Sequence, residues 1–224
     1  MYLNCFDEVK NLTKKLVNVP SIVRSNGGET NCAKKIYEYY LDLPNFKENP
    51  QKAIIFQTLN DEIERHCVVA MVKGTKGDSK KTILLIGHLD TVGVDDFGTI
   101  KEYAFNPDKL PALLRELNLS DELNADIDSG EYMFGRGALD MKSGVAGHMY
   151  LIKYFSEHPE ELNGNIIALA ECDEEDNSHG VLTALKVFKK LKEKEDLEYV
   201  ACINADYSTP YHAKDENRYV YFGT

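Results

Sequence analysis

The chain has 224 residues, and its 26 basic against 37 acidic residues give a formal net charge of −11 at pH 7. Such an acidic balance argues against nucleic acid or an anionic membrane as a partner. A hydrophobic content of 43% is enough to build a folded core, which excludes a disordered tail. The N-terminus lacks the pattern of a signal peptide and no apolar run is long enough to cross a bilayer, so we expect neither feature.

Helical and extended patterns alternate along the sequence. Apolar residues at helical spacing predict a helix from Leu3 to Val19, stopped before Pro20, and further helices at 30–41, 141–155 and 178–191. Short apolar runs predict strands at 53–59, 67–72, 82–88, 164–170 and 199–204, and the chain ends inside a further predicted strand, 219–224. This order predicts an α/β fold, a three-layer sandwich in which helices flank a mostly parallel central sheet.

The domain organisation can be inferred from whether repeats, linkers or insertions interrupt the alternation of helices and strands. No internal repeat, low-complexity tract or interdomain linker divides the sequence, so we expect residues 1–224 to belong to one domain. Residues 105–128 contain Pro107, Pro111 and several leucines, which predict a helical excursion between strands. This excursion either shapes a substrate pocket or is a structural insertion.

The five cysteines indicate the redox environment. They are scattered, odd in number and never arranged as C-x-x-C, at Cys5, Cys32, Cys67, Cys172 and Cys202. This usage argues against a disulfide framework and predicts reduced, buried thiols in a cytoplasmic protein. Cys172 lies beside acidic residues, but its position in a strand favours a small buried side chain over a nucleophile.

A histidine and an aspartate lie at the end of the predicted strand 82–88. His88 and Asp90 are two residues apart, so in extended backbone they point to the same side. His88 could then bind a metal while Asp90 holds the other ring nitrogen. Asp140 follows Gly135 and Gly137 and directly precedes a predicted helix. Taken singly, these residues have simpler interpretations, a core histidine and a helix N-cap.

Acidic residues follow two further predicted strands. Asp173, Glu174 and Glu175 come after the strand 164–170, and Asp206 comes after the strand 199–204. An acidic turn is commonly just solvated, but adjacent acids allow one carboxylate to bind metal while its neighbour acts as a base. Chemistry in open α/β sheets lies at the carboxyl ends of the strands. Imidazole and carboxylate ligands without cysteine suit zinc or a similar divalent ion.

The three motifs together resemble those of a known family. The sequence reads G-H-L-D-T at 87–91, G-R-G-A-L-D-M-K at 135–142 and D-E-E at 173–175. In this order they resemble the dinuclear-zinc aminoacylase and carboxypeptidase family of metallopeptidases, which includes succinyl-diaminopimelate desuccinylase and di- and tripeptidases. Residues 91–98 and 204–211 resemble its RocB branch, named for arginine utilisation.

The resemblance implies a function and a role for each candidate residue. It implies hydrolysis of an amide or peptide bond in a small-molecule substrate, an N-acyl amino acid or short peptide, linked to arginine or amino-acid utilisation. It implies two Zn²⁺ per complete site, with Co²⁺ or Mn²⁺ as substitutes, and a water held between the two metals. The implied roles are His88 and Asp206 as ligands of the first metal, Asp140 as the bridging ligand, Glu175 as ligand of the second metal, Asp90 as the residue that orients His88, and Glu174 as the general base.

The resemblance also implies segments beyond those in this chain. The family continues with a lid or dimerisation domain and a C-terminal catalytic segment, which supplies a final histidine to the second metal. His179 is the nearest substitute in this sequence. We therefore expect one zinc per chain, low or no activity of this chain alone, and a homo-oligomer.

Other functional classes remain open or are disfavoured. A catalytically inactive metal-binding or interaction protein of the same fold is the main alternative. An acidic calcium-binding module is disfavoured because residues 173–177 lack the D-x-D-x-[DN]-G ligand pattern. The sequence contains neither a G-x-S-x-G nucleophile motif nor a P-loop.

Overall fold

A computed structural model describes residues 5–208 of the chain. The helices are α1 (Phe6–Val17), α2 (Gly28–Asp42), α3 (Pro44–Glu48), α4 (Leu110–Leu114), α5 (Asp121–Ser129), α6 (Ser143–Glu157) and α7 (His179–Glu195). The strands are β1 (Ala53–Gln57), β2 (His66–Lys73), β3 (Lys81–His88), β4 (Asn165–Glu171) and β5 (Glu198–Asn204). The strand predicted at 219–224 lies outside the described residues.

The five strands form one mixed sheet in the order β1-β2-β4-β3-β5. β3 pairs in parallel with both β4 and β5, whereas β2 pairs antiparallel with both β1 and β4. Four strands therefore run in one direction and β2 runs against them. The loop 58–65 is too short for a crossover, which explains why β1 and β2 form an antiparallel hairpin. The parallel pairing expected from the sequence is confirmed for β3, β4 and β5, whereas both pairs that involve β2 are antiparallel, so the sheet is mixed.

Helices cover both faces of the sheet. A side chain at Gly87 in β3 would meet Val145 of α6 at 3.2 Å, whereas one at Gly180 of α7 would meet Cys67 of β2 at 3.1 Å. The strand register places Gly87 on the same face as Val68, and Cys67 points to the opposite face. α6 and α7 thus lie on opposite sides of the sheet, and the predicted three-layer sandwich is confirmed.

Burial differs between the centre and the end of the sheet. Every residue of β4 is buried, whereas nearly all of β5 is exposed. Within the described residues β5 pairs only with β3. Cys202 in β5 is exposed and Cys5 is only partly buried, so the expectation of five buried thiols is wrong for these two. Cys172 is buried, as expected for a strand residue.

The connections between strands carry shorter helical pieces. The predicted excursion at 105–128 contains α4 and all but the last residue of α5, and a kinked helical turn, Asp95–Tyr103, precedes it. Across residues 5–208, no helix has both the length and the apolar character needed to cross a bilayer.

Candidate metal centre

The six residues singled out from the sequence lie at one edge of the sheet. His88 is the last residue of β3, and Asp90 lies two residues further on. Glu174 and Glu175 follow β4, Asp206 follows β5, and Asp140 lies just before α6. Because β3, β4 and β5 are parallel, their carboxyl ends bring the other five side chains to the same edge, and Asp140 reaches it from the segment that precedes α6.

Carboxylates surround one nitrogen of the His88 ring. His88 Nε2 lies 2.9 Å from Asp140 Oδ1, 3.8 Å from Glu174 Oε2 and 3.9 Å from Asp206 Oδ2. His88, Asp140 and Glu175 each offer one ligand atom within 4.8 Å of the others. The imidazole is buried, whereas Glu174 and Asp140 are substantially exposed, so a small molecule can reach them.

Asp90 holds the other side of the His88 ring, mainly through its backbone. His88 Nδ1 lies 3.1 Å from the Asp90 carbonyl oxygen and 3.7 Å from the nearer carboxylate oxygen. Donation of the Nδ1 hydrogen to this carbonyl leaves the lone pair of Nε2 free to coordinate a metal. The Asp90 carboxylate instead accepts the Glu175 backbone N–H at 3.1 Å. Asp90 therefore contacts both the histidine and the acidic turn.

The charged groups in this cluster shift one another's pKa values. Burial alone would lower the pKa of His88, but the carboxylates of Asp90, Glu174, Asp140 and Asp206 outweigh it and raise that pKa. Burial raises the pKa of Glu174, and Asp206 raises it further. Burial and Asp140 likewise raise the pKa of Glu175. The cluster thus holds more negative charge than one imidazole can balance.

These residues fit a divalent metal. Their donors are one imidazole nitrogen and several carboxylate oxygens, a set that suits zinc and other borderline divalent ions. A divalent cation would neutralise the surplus negative charge that raises the pKa values of Glu174 and Glu175. We therefore treat this edge of the sheet as a candidate metal centre.

A second group of possible metal ligands is explained by an ion pair with arginine. Asp61, Asp173 and His179 also lie close enough to share an ion. The buried guanidinium of Arg65 already pairs with both aspartates. His179 Nδ1 lies 2.6 Å from Asp173 Oδ2, so the histidine considered as a substitute ligand belongs to this second group.

Lys142 is part of the second motif, but the sequence analysis assigned it no role. Its side chain is fully buried, and burial lowers its pKa. The ammonium donates to the carbonyls of Leu16 and Val19, at 3.1 and 2.8 Å. Through these two hydrogen bonds, Lys142 attaches its own segment, which also contains Asp140, to the C-terminal end of α1. Nothing in the local sequence pattern of either segment indicates this contact.

Comparison with known proteins identifies the family. Residues 84–215 match the model described as Peptidase family M20/M25/M40. This match covers more than half of the chain and includes all six candidate residues, and the chain belongs to this family.

Two curated relatives and one solved structure illustrate the similarity. Protein RocB of Bacillus subtilis is 38% identical over 222 residues, which cover 99% of this chain and 39% of RocB. Succinyl-diaminopimelate desuccinylase of Buchnera aphidicola is 27% identical over 192 residues, covering 85% of this chain and 41% of that enzyme. The chain thus spans about two-fifths of the length of these relatives.

The solved structure supports the fold assignment. The M20 family metallo-carboxypeptidase Sso-CP2 of Sulfolobus solfataricus matches with a TM-score of 0.54 at 20% identity. The match covers 88% of this chain and 37% of that protein. The helices and the mixed sheet of this chain therefore have the arrangement found in part of an M20 peptidase.

Proposed function

We propose that this chain forms the metal-binding part of a zinc-dependent hydrolase that cleaves an amide or peptide bond. The observation that carries the proposal is the convergence of His88, Asp140 and Glu175 within 4.8 Å at the carboxyl edge of the sheet. Glu174 lies beside them, 3.8 Å from His88 Nε2 and exposed to solvent. Membership of a peptidase family supports the same reaction class.

The close approach of these side chains supports the ligand roles that the family resemblance implies. His88 and Asp206 would bind the first zinc, Glu175 would bind the second, and Asp140 would contact both. Asp90 would orient His88 through the hydrogen bond from Nδ1. Zinc supplies Lewis acidity when bound, which polarises an amide carbonyl and lowers the pKa of water.

Glu174 is the residue placed to move a proton. Its carboxylate lies 3.8 Å from His88 Nε2, beside the proposed metal ligands, where it can exchange a proton with a water or a substrate. In the proposed reaction, Glu174 takes a proton from the attacking water and returns it to the nitrogen of the leaving amine. The exposure of Glu174 allows a substrate to approach from solvent.

The proposed substrate is an N-acyl amino acid or a short peptide. The name of the Buchnera relative, a desuccinylase, supports an acylated amine as the substrate class. Similarity to RocB along 99% of the chain supports a link to arginine or amino-acid utilisation. Free cysteines throughout the described residues favour a reducing, cytoplasmic location.

A catalytically inactive metal-binding or interaction protein of the same fold is the second candidate. It is favoured by the second metal position, to which the described residues contribute only Asp140 and Glu175. Fewer than three protein ligands hold zinc weakly. This chain would then bind one metal without turning over a substrate.

Turnover measurements distinguish the two candidates. The chain, and any longer gene product that contains it, would be stripped of metal, reloaded with zinc, and assayed against N-acyl amino acids and dipeptides. We expect hydrolysis by the longer product only after zinc is restored. Hydrolysis that is unaffected by stripping would contradict the metal-dependent mechanism. Zinc binding without turnover in both proteins would favour the inactive alternative.

A further inference from the structure

The turn that carries Glu174 and Glu175 has a backbone that its own sequence does not favour. Asp173 and Ser178, on either side of the acid pair, have left-handed φ angles of 69° and 57°. This conformation disfavours residues other than glycine, although aspartate tolerates it better than most. Other parts of the molecule must therefore hold the turn and set the direction of the two glutamates.

Asp173 makes the hydrogen bonds that fix the turn to the rest of the molecule. Its side chain is fully buried, and Oδ1 accepts a hydrogen bond from Arg65 Nη1 at 2.5 Å. Oδ2 accepts the backbone N–H of His179 at 3.0 Å, and the Asp173 N–H donates to Glu29 Oε1 at 3.0 Å. Asp173 is thus bonded to α2, to the residue before β2 and to the start of α7.

Arg65 is itself fixed by a two-point contact. Its Nε and Nη2 each donate to one oxygen of Asp61, both at 2.8 Å, which sets the plane of the guanidinium. Its remaining nitrogen, Nη1, then faces Asp173 and also lies 3.6 Å from Glu29 Oε2. A planar guanidinium can donate this fork, two parallel hydrogen bonds to one carboxylate, and a third hydrogen bond to another group, whereas the ammonium of lysine cannot.

The same turn contacts the histidine loop. The Glu175 N–H donates to the Asp90 carboxylate, and the Asp90 carbonyl accepts from His88 Nδ1. A displacement of Asp173 would therefore move Glu174 and Glu175 relative to His88. Arg65 is far from these residues in the sequence and reaches them through Asp173.

We propose that Arg65 is a positioning residue, which holds Asp173 and thereby directs Glu174 and Glu175 toward His88. The part of this inference that concerns metal rests on the proposed function, which assigns Glu175 to the second zinc. The part that concerns the turn stands on the hydrogen bonds alone.

Amide hydrogen exchange tests the turn without any metal. In Arg65→Gln, we expect the hydrogen-bonded amides of the turn to exchange about tenfold faster or more, since a charged hydrogen bond contributes about 1.5–3 kcal/mol. These are the amides of Asp173, Glu175, Ser178 and His179. The amides of β4 report on global opening and should change less. Ile152→Val in α6 lowers stability without touching the turn, and is the matched control. Equal acceleration in the turn and in β4, or no acceleration, would overturn the proposal.

Two further variants keep the test valid if Arg65→Gln folds poorly. Arg65→Lys retains the charge but not the fork, so we expect partial acceleration confined to the turn. Asp173→Asn retains the size of the side chain but weakens its bond to the guanidinium, and should produce the same local pattern. If amide exchange in the turn were faster in neither variant, the proposal would be overturned.

Zinc titration calorimetry tests the link to the metal. Loss of a residue that orients a ligand weakens metal binding by about 10- to 100-fold. We expect Arg65→Gln to weaken the second zinc by this factor and to leave the first zinc nearly unchanged. Equal weakening of both would indicate a general loss of structure and overturn the positioning role. If the unaltered chain bound no zinc, the proposed function would fail, while hydrogen exchange would still decide whether Arg65 holds the turn.

Discussion

The side chains of His88 and Asp140 meet at 2.9 Å although they are 52 positions apart in the sequence. The two segments approach closely because position 137 is a glycine. Its φ of 80° is left-handed, and a side chain there would come within 2.7 Å of Thr91, next to Asp90. The second motif therefore requires this glycine to bring Asp140 against the histidine.

The first prediction concerns zinc stoichiometry. We expect this chain to retain about one zinc after dialysis and to bind a second weakly. His88, Asp140 and Asp206 provide three ligands, as in ordinary catalytic zinc sites, whereas Asp140 and Glu175 alone provide two. Elemental analysis after dialysis measures this, with His88→Gln as the control that should lose the tight zinc. Two tightly held ions per chain would show that a further ligand completes the second position.

The second prediction separates catalysis from metal binding at the paired acids. In a catalytically active form of the protein, Glu174→Gln should keep its zinc and lose turnover by at least ~10²-fold, because an amide cannot take up the proton. Glu175→Gln should instead lower occupancy of the second zinc, since a neutral amide is a poorer ligand. Turnover and zinc content would be measured on both variants. The reverse pattern would exchange the two roles. If neither substitution changed turnover or zinc content, the hydrolase mechanism would be refuted.

The third prediction concerns self-association through β5. Val200 and Ile203 are 48% and 49% exposed, and β5 has one partner strand among the described residues. Exposed apolar edge strands pair with other chains, so we expect light scattering to show mass that rises with concentration. Val200→Lys should reduce this association. Gln57→Lys adds the same charge at the opposite edge of the sheet and should not. A clean monomer at all concentrations would contradict the prediction.

The fourth prediction concerns acid stability and His148. Burial lowers the pKa of His148 from 6.5 to about 4, so the unfolded chain binds this proton at a higher pH than the folded chain does. The contribution of His148 to the free energy of unfolding should therefore fall by about 3 kcal/mol as the pH drops from 6.5 to about 4.

Comparison with a variant isolates this effect. Glu29 and Glu171 have pKa values raised to about 7, mainly by burial, and act in the opposite direction over part of the same range. The difference in urea unfolding between the unaltered chain and His148→Gln, measured with a chelator present, removes their contribution. A difference that does not depend on pH would show that His148 titrates normally.

Much of the fold could be predicted because it depends on local patterns. Apolar runs placed the five strands within a few residues, and helical spacing did the same for α1, α2, α6 and α7. His88, Glu175 and Asp206 were found because they lie at or soon after the ends of strands, and parallel strands end at a common edge. Asp140 was found through its glycine-containing motif just before a predicted helix. The helix predicted from Met141 begins at Ser143 because Asp140 and Met141 have non-helical backbone angles, which no propensity indicates.

The sequence by itself determined the α/β class, the family motifs and the edge of the sheet at which the candidate metal ligands lie. Only the tertiary structure decided that β2 lies antiparallel between β1 and β4, and that Asp90 meets His88 mainly through its carbonyl. It also decided that Arg65 and Lys142 are buried. The physical reason is that hydrophobic periodicity reports whether a residue faces the core, whereas the partner of a buried charge lies far along the chain. Arg65 and Asp173 are 108 positions apart, and only the folded chain brings them together.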